Sequence, residues 1–249
     1  MTLALALTAC GADEPSDPVE APELGACRML EPDDVAASAN SAPTVDCEQD
    51  HTAETYAVGP LPSELSDAAY DDADIGAFAY RTCSQAFMKF LGADESMALR
   101  TILSRAWFRP SQEAWDKGAR WYRCDVVGGT DDATDFVLLP TTAKGLMSSG
   151  VPEDKWMACV NGEAVPGAPR IPCSEAHTWR AVTTIKVGAD KDPYPGDRLV
   201  EVKSRDFCDT SVSAWLGYPL EYKFAYTRFH EAEWKTGNRR SICWARTTT

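Results

Sequence analysis

Hydrophobic and polar positions follow the same succession of patterns in both halves of this chain. In the first half, residues 44–58 alternate between apolar and polar side chains as a strand does, and residues 75–91 carry apolar side chains at helical spacing. Gly92 is suited to end this helix, because glycine readily adopts the left-handed conformation that follows a last helical turn. Residues 102–109 and 120–127 predict two further strands.

The second half repeats this order. Residues 157–160 open it, and a strand is predicted at residues 177–187, a helix at 199–216, and two closing strands at 221–229 and 240–246. The helix is expected to bury one side, formed by Leu199, Val202, Phe207, Cys208, Val212, Trp215 and Leu216. One main helix on a small antiparallel sheet in each half makes α+β the expected fold class.

Cysteines mark the repeat at matching positions. The two sets are Cys27, Cys47, Cys83 and Cys124, and then Cys159, Cys173, Cys208 and Cys243. A histidine lies four residues after the second cysteine of each set, as His51 and His177. A tryptophan, a glycine and an arginine precede the last cysteine by nine, six and four residues, as Trp115, Gly118 and Arg120 and again as Trp234, Gly237 and Arg239. Agreement at so many offsets indicates a duplicated module of about 110 residues, with tandem homologous copies at residues 24–135 and 136–249.

The connection between the copies, residues 128–155, consists mostly of Gly, Ser, Thr, Asp and Pro. Residues 136–139 interrupt it with an apolar stretch. We expect this stretch to pack onto one of the two domains, because burial of apolar side chains is favourable.

The amino-terminal segment, residues 1–10, resembles the signal of a bacterial lipoprotein. It ends in Leu-Thr-Ala-Cys, which predicts cleavage before Cys10 and attachment of lipid to its sulfur, and its apolar run is too short to span a bilayer. It departs from a typical signal in having no Lys or Arg at its start. A buried thiol is the alternative for Cys10, but an odd ninth cysteine beside eight that can pair favours the anchor. Residues 11–23, rich in Pro, Ala, Asp and Glu, predict a flexible tether.

Charge and cysteine content narrow the class of protein. The formal charge is −14, and no cluster of Lys and Arg offers a phosphate-binding surface, so nucleic acid is excluded as a partner. Negative charge also repels anionic lipid head groups, so the folded body is expected to stand away from the bilayer. Disulfide-rich modules occur outside the reducing cytosol, which predicts the extracytoplasmic face of the cell membrane.

The eight cysteines of the two sets are expected to form four disulfides. Four half-cystines allow three connectivities in each copy, and the sequence does not choose among them. Our expectation is sequential pairing, which joins Cys27 with Cys47, Cys83 with Cys124, Cys159 with Cys173, and Cys208 with Cys243. Zinc is the alternative for the cysteine and histidine four residues apart, but four free thiolates are not expected in an oxidising compartment. We therefore expect the histidines to support a turn beside the disulfide, and we expect no metal or cofactor.

The Trp-Gly-Arg marks have two interpretations. In the first, the tryptophan packs on the core, the glycine takes a positive φ, and the arginine pairs with a nearby acid. In the second, the marks form a recognition surface, since Trp and Arg contribute strongly to interfaces. The occurrence of the same mark in both copies favours the first interpretation.

A catalytic role finds little support in the sequence. The chain has three histidines and lacks the Gly-x-Ser-x-Gly, HExxH and P-loop motifs. Glu231 and Glu233 form a carboxylate pair of the type used in glycoside hydrolysis, but two residues so close in a loop are more often solvated. We expect no enzyme activity and no catalytic residue.

The ordered series of Cys, His, Cys, Trp, Gly, Arg and Cys resembles the septum formation family of actinobacterial extracytoplasmic proteins. Three positions in the second copy depart from the first: Arg180 replaces Glu54, Phe229 replaces Pro110, and the opening lacks a glycine before its cysteine. The resemblance implies a role in septum formation during cell division and supplies no reaction. With the predicted anchor, it leads us to expect a membrane-anchored binding or scaffold lipoprotein whose partners are the lipid bilayer and envelope proteins, division proteins or peptidoglycan. A secreted envelope hydrolase, or an inhibitor of one, is the alternative.

Overall fold

A computed structural model describes residues 19–130, 132–150 and 152–247. Cys10 and residues 11–18 of the predicted tether lie outside this part of the chain. The described residues form two five-stranded antiparallel sheets with helices packed against them, which confirms the α+β class.

The first sheet has the strand order β2-β1-β3-β5-β4. Its strands are β1 (Cys27–Arg28), β2 (Thr44–Val45), β3 (Ala53–Pro60), β4 (Ser104–Phe108) and β5 (Trp121–Val127). The alternation over residues 44–58 therefore belongs to two strands, β2 and β3, and the turn that carries Cys47 separates them.

The second sheet has the matching order β7-β6-β8-β10-β9. Its strands are β6 (Ala158–Val160), β7 (Ile171–Pro172), β8 (Trp179–Lys186), β9 (Phe224–Thr227) and β10 (Arg240–Arg246). In both sheets the strand that contains the last cysteine lies between the longest preceding strand and an edge strand.

Two long helices and four short ones complete the described structure. They are α1 (Pro32–Ala36), α2 (Ala73–Leu91), α3 (Glu95–Ala98), α4 (Gln112–Asp116), α5 (Asp197–Trp215) and α6 (Glu231–Thr236), with 3-10 turns at Ser63–Leu65 and Asp154–Trp156. None of the helices in the described residues has the length and apolar character needed to cross a membrane.

Helix α2 forms where the periodicity predicts it. The Asp72 side chain accepts a hydrogen bond from the Asp74 backbone N–H at its start, which satisfies one of the free donors of the first turn. Gly92 ends the helix with φ of 69°. The buried side chains recur every four residues, as Ile75, Ala79, Cys83, Phe87 and Leu91, so the helix presents a single stripe to the sheet.

Helix α5 buries only part of the expected side. Its buried residues are Val200, Ser204, Cys208 and Val212, whereas Leu199, Phe207 and Trp215 are 43%, 38% and 50% exposed. The physical reason is the disulfide at Cys208, which directs that residue toward the sheet. Residues spaced four positions apart along the helix lie on the same side as Cys208 and are buried with it. The apolar residues next to this stripe remain at the surface.

The four disulfides join the sequential pairs. Cys27 is bonded to Cys47 and Cys159 to Cys173, which fixes each opening strand to the turn that follows the next strand. Cys83 is bonded to Cys124 and Cys208 to Cys243, so each long helix is linked to the inner strand beneath it. The enclosed loops constrain the unfolded chain and thereby stabilise the fold.

The two sheets share one hydrophobic core. Its largest cluster joins Phe87 and Leu91 of α2 to Trp156, Trp179 and Trp244 of the second half. Backbone hydrogen bonds cross the same boundary, from the Ile102 N–H to the Trp156 carbonyl (3.0 Å) and from the Ala158 N–H to the Arg100 carbonyl (2.8 Å). Each sheet consequently depends on the other half for part of its burial.

The first sheet has a polar network on the face opposite α2. The Arg28 guanidinium donates to the Thr55 hydroxyl (2.8 Å), the Thr55 hydroxyl donates to the Asp125 carboxylate (2.7 Å), and Arg123 Nε lies 3.0 Å from the same carboxylate. Asn40 accepts from Arg123 above the sheet. All four members on the strands are buried, so the charges are removed from water but partnered.

The second sheet has apolar residues at the four matching positions. Counted from the matching cysteines, these are Val160, Ala181, Ile242 and Trp244. All four are buried in the shared core against the first half. The same sheet face is therefore closed by a polar network and residues 30–42 in the first half, and by the other half of the chain in the second.

Candidate functional site

A groove of about 670 Å³ lies between the two halves of the molecule. One wall is formed by α2 and β4, and the other includes the residues just after α6. Its lining includes Tyr80, Arg105 and Trp107 from the first half and Arg170 and Asn238 from the second. Because both halves contribute, the groove exists only in the assembled chain.

Arg105 provides a positive charge in the wall of this groove. Its Cζ atom lies 4.5 Å from the centre of the Tyr80 ring, a distance at which the ring face attracts a cation. Within residues 19–130, 132–150 and 152–247, no carboxylate lies within ion-pair distance of Arg105. The guanidinium thus retains hydrogen-bond donors for a ligand.

Strand β4 exposes backbone groups at its outer edge. The backbone N–H and C=O groups of Thr55 form hydrogen bonds with residues 25 and 26, just before β1. They therefore point away from Asp125, the residue opposite Thr55 on β5. Asp125 accordingly directs its backbone groups toward Ala106 of β4. Since backbone groups alternate along a strand, those of Arg105 and Trp107 point outward.

A second cavity of about 390 Å³ lies on the other face of the same edge. Val35 and Ser38 line it together with Ser104, Ala106 and Phe136. The Arg109 N–H, on the outer side of the strand, donates to the Ser38 carbonyl (2.9 Å). The open edge of β4 is thus bounded at one end and has a cavity above and below it.

The Trp-Gly-Arg marks belong to the core, as the first interpretation expects. Trp115 and Trp234 are buried, and Gly118 and Gly237 have φ of 98° and 112°. The expected acid partner is wrong for Arg120, which donates to backbone carbonyls, including that of Trp115 (2.8 Å). Its Cζ atom lies 3.9 Å from the centre of the Trp115 ring.

Arg239 repeats this arrangement on Trp234. It donates to the Trp234 carbonyl, and its Cζ atom lies 3.7 Å from the centre of that ring. A stacked guanidinium that also closes the helix end needs no carboxylate. The expected acid partner is therefore wrong here as well.

The two histidines support turns beside the disulfides, as expected. His51 Nδ1 lies 2.8 Å from the Gln49 carbonyl, and His177 Nδ1 lies 2.8 Å from the Glu175 carbonyl. A carbonyl partner requires the proton on Nδ1. The nearby sulfurs of Cys47 and Cys173 are bonded in disulfides, so neither supplies a thiolate for the alternative zinc site.

Asp197 is the centre of an exposed cluster at the start of α5. Tyr194 donates a hydrogen bond to its carboxylate, and His230 Nδ1 lies 3.0 Å from it. The Tyr194 hydrogen bond, followed by that of His230, lowers the pKa of Asp197 below its usual value. Burial, followed by the hydrogen bond to Asp197, raises the pKa of Tyr194 to about 12.

Sequence patterns did not indicate this cluster or the groove. Tyr194 lies just before α5, Asp197 is its first residue, and His230 lies just before α6, so only the fold brings them together. Glu231 and Glu233, the carboxylate pair considered for glycoside hydrolysis, belong to α6. Glu233 instead accepts a hydrogen bond from the His230 backbone N–H (3.0 Å), which stabilises the start of that helix.

The septum formation family model matches residues 25–243, which include all eight disulfide-bonded cysteines and both sheets except the last three residues of β10. Neither the curated proteins nor the solved structures contain a significant match to this chain. Because the match covers most of its length, the chain belongs to the septum formation family.

Proposed function

We propose that this septum formation family member is a lipid-anchored extracytoplasmic protein without catalytic activity, built from a tandem duplication, which binds an envelope or division protein during septum formation. The binding site in this proposal is the groove along β4. The observation that carries it is the open edge of β4 between two cavities, next to the unpaired charge of Arg105.

An extended polypeptide is the ligand that such an edge fits best. It would pair with the outward N–H and C=O groups of Arg105 and Trp107, as an added strand pairs with a sheet edge. Its alternate side chains would enter the cavities above and below. An acidic side chain on the same segment would meet the guanidinium of Arg105.

The anchor in this proposal is lipid on Cys10. Residues 11–23 would then connect the lipid to the folded body and reach at most about 40 Å, at about 3.3 Å per residue. The formal charge of −14 keeps the body away from anionic lipid head groups. The groove would thus face partners at the outer surface of the membrane.

The binding proposal is tested by photocrosslinking from position 105 of the full chain in growing cells. Position 203 is the matched control, because Lys203 is exposed on α5 and does not line the groove. We expect products at position 105 that are enriched in division or envelope proteins, and none of these at position 203. The same products from both positions, or glycan products at position 105, would contradict a polypeptide partner.

A pair of variants separates backbone pairing from charge. Arg105→Pro removes the outward N–H without removing a ladder hydrogen bond, since proline is tolerated where the N–H faces away from the sheet. Arg105→Ala keeps that N–H and removes only the charge. We expect the proline variant to lose crosslinking from Trp107, and the alanine variant to lose part of it.

The anchor is tested with Cys10→Ser. We expect the variant to leave the membrane fraction while the parent chain stays in it, because a serine hydroxyl does not accept the thioether-linked lipid. Retention of the variant would refute the anchor without affecting the groove. Release of muropeptides from peptidoglycan by the purified chain would favour the hydrolase instead.

A further inference from the structure

The carboxyl end of α2 is covered by a later part of the chain, residues 139–147, which we call the covering segment. The Gly145 N–H donates to the Phe90 carbonyl (2.7 Å), and the Met147 N–H donates to the Leu91 carbonyl (2.9 Å). Ala143 donates its N–H to the Glu54 carboxylate (2.7 Å). The segment therefore satisfies carbonyls that a helix leaves without partners at its end.

The covering segment also buries apolar side chains. Leu139, Ala143 and Met147 are buried in the shared core together with Leu91, and Phe90 packs against that core. The second oxygen of the Glu54 carboxylate accepts from the Thr142 hydroxyl (2.8 Å). The contact thus combines apolar burial with one carboxylate and its donors.

The second half has an equivalent surface. Trp215 and Leu216 lie seven and eight residues after Cys208, as Phe90 and Leu91 lie after Cys83. Arg180 lies seven residues after Cys173, as Glu54 lies after Cys47. We call Arg180, Trp215, Leu216, Tyr218 and Leu220 the α5-end surface.

In the described part of the chain, Leu216 and Arg180 of the α5-end surface are half-buried, and its other three side chains are exposed. Trp215 is 50% exposed, Tyr218 is 74% exposed, and Leu220 is fully exposed. Single exposed apolar residues are ordinary, but three large ones within six residues form a patch that soluble proteins use for contacts. The corresponding end of α2 shows what kind of contact closes such a surface.

Tyr218 is held outward by an uncommon backbone conformation. Its φ is 59°, and it is the only non-glycine residue with positive φ in the described ranges. Its N–H donates to the Ser213 carbonyl (2.8 Å), as the Ala93 N–H donates to Met88 (3.0 Å) after α2. An aromatic residue rarely adopts this conformation, and such residues are concentrated at functional sites.

We propose that the α5-end surface binds an extended segment of a partner protein that takes the position the covering segment has on α2. Its apolar side chains cover Trp215 and Leu216, and its backbone N–H groups bind the last carbonyls of α5. An acidic side chain or a chain-terminal carboxylate binds Arg180. This site is separate from the groove and does not depend on the groove having a ligand.

The charge of the partner follows from Arg180. Glu54 accepts hydrogen bonds from its covering segment, whereas a guanidinium only donates, so the partner must supply an acceptor. Arg180 already binds Asp154 through Nη2 (2.6 Å), which leaves further N–H donors for a second carboxylate. A membrane surface is a poorer fit, because it offers no backbone N–H groups of the kind that Gly145 and Met147 donate to the end of α2.

Two synthetic peptides test the proposal on the full chain. One has the sequence of residues 137–149, and the other differs by the change Ala143→Asp. We expect the aspartate peptide to bind at least ten times more tightly, with a change in tryptophan fluorescence that Trp215→Ser abolishes. Phe207→Ser is the matched control, because Phe207 is exposed on the same helix outside the surface, and it should bind as the parent does.

A charge reversal makes the test specific. Arg180→Glu should remove the preference for the aspartate peptide and shift it to a peptide with Ala143→Lys, while Arg180→Lys should retain it. Far- and near-ultraviolet circular dichroism checks that each variant is folded. The proposal is overturned if neither peptide binds, if the preference survives Arg180→Glu, or if Trp215→Ser abolishes binding to phosphatidylglycerol vesicles while no peptide binds.

Discussion

Asp125 and Trp244 occupy the same position in their sheets, each directly after the cysteine that links a strand to its helix. Asp125 is buried beside Arg123 with a separation of 3.0 Å between Nε and the carboxylate. Trp244 is buried in the shared core against the first half. One position thus serves an internal ion pair in one sheet and the contact between the halves in the other.

Breaking the buried ion pair is expected to destabilise the chain strongly. Asp125→Ala leaves Arg123 charged and buried without its partner, which costs about 3–5 kcal/mol. The double variant Arg123→Met, Asp125→Leu should cost less than either Asp125→Ala or Arg123→Met alone, because no buried charge remains without a partner. Urea unfolding of the three variants measures the differences in the free energy of unfolding.

The control for this comparison is Lys117→Ala. It breaks the ion pair with Glu113, in which both side chains are largely exposed, and should cost no more than about 0.5 kcal/mol. A double variant less stable than both single variants would contradict the desolvation argument.

Removal of the Trp244 side chain is expected to weaken both halves together. Trp244→Ala should lower the free energy of unfolding by about 3–5 kcal/mol. Because the core is shared, amide hydrogen exchange should accelerate in β5 as well as in β10. Trp215→Ala, at an exposed position, should change the free energy of unfolding by no more than about 0.5 kcal/mol. Acceleration confined to the second sheet would show that the halves unfold independently.

The stabilisation of the fold by each disulfide is expected to increase with the logarithm of the number of residues in the loop that it closes. Replacing both cysteines of a pair by alanine should cost roughly 4 kcal/mol for Cys83 and Cys124, and roughly 3 kcal/mol for Cys159 and Cys173, in the chain-entropy model. The respective sequence separations are 41 and 14 residues. Denaturant unfolding of the two double variants tests the order, and a reversed order would indicate that packing around the sulfurs dominates.

The hydrogen-bonded cluster around Asp197 predicts that the stability of the fold decreases slightly at acidic pH. Its lowered pKa means that the folded state favours the carboxylate, so this contribution is present above the ordinary aspartate pKa and is lost as the pH falls through the lowered value. Asp197→Asn should therefore differ from the parent in melting temperature at pH 6 and match it more closely at pH 2. Equal differences at both pH values would contradict this assignment.

The sequence predicts local structure well where the spacing of residues is compatible with only one arrangement. The apolar spacing and Gly92 place α2 within two residues of its observed bounds. The matching cysteine sets predict four disulfides, and the structure selects the sequential pairing from the three connectivities possible in each copy. Trp115 is recognisable as a core residue because Trp234 repeats it at the same offset.

The remaining features depend on contacts between distant residues. The apolar positions of α5 allow two adjacent faces to be buried, and only the packing around Cys208 selects the one that leaves Trp215 exposed. Arg123 and Asp125 alternate with apolar residues in β5, a pattern that predicts solvent-facing side chains. They are buried instead, because residues 30–42, which are distant in sequence, cover them. The groove at Arg105 requires both halves, so no local pattern encodes it.

Sequential pairing of the cysteines has a consequence for biogenesis if the chain is threaded across a membrane amino end first. Both cysteines of each pair would emerge before any cysteine of the next pair. An oxidant acting on the nascent chain would therefore form few non-native disulfides that need to be rearranged. The last strand, with Cys243 and Trp244, arrives at the very end of translocation. Until then the shared core lacks Trp244, and the apolar side chains that it covers are exposed to aggregation.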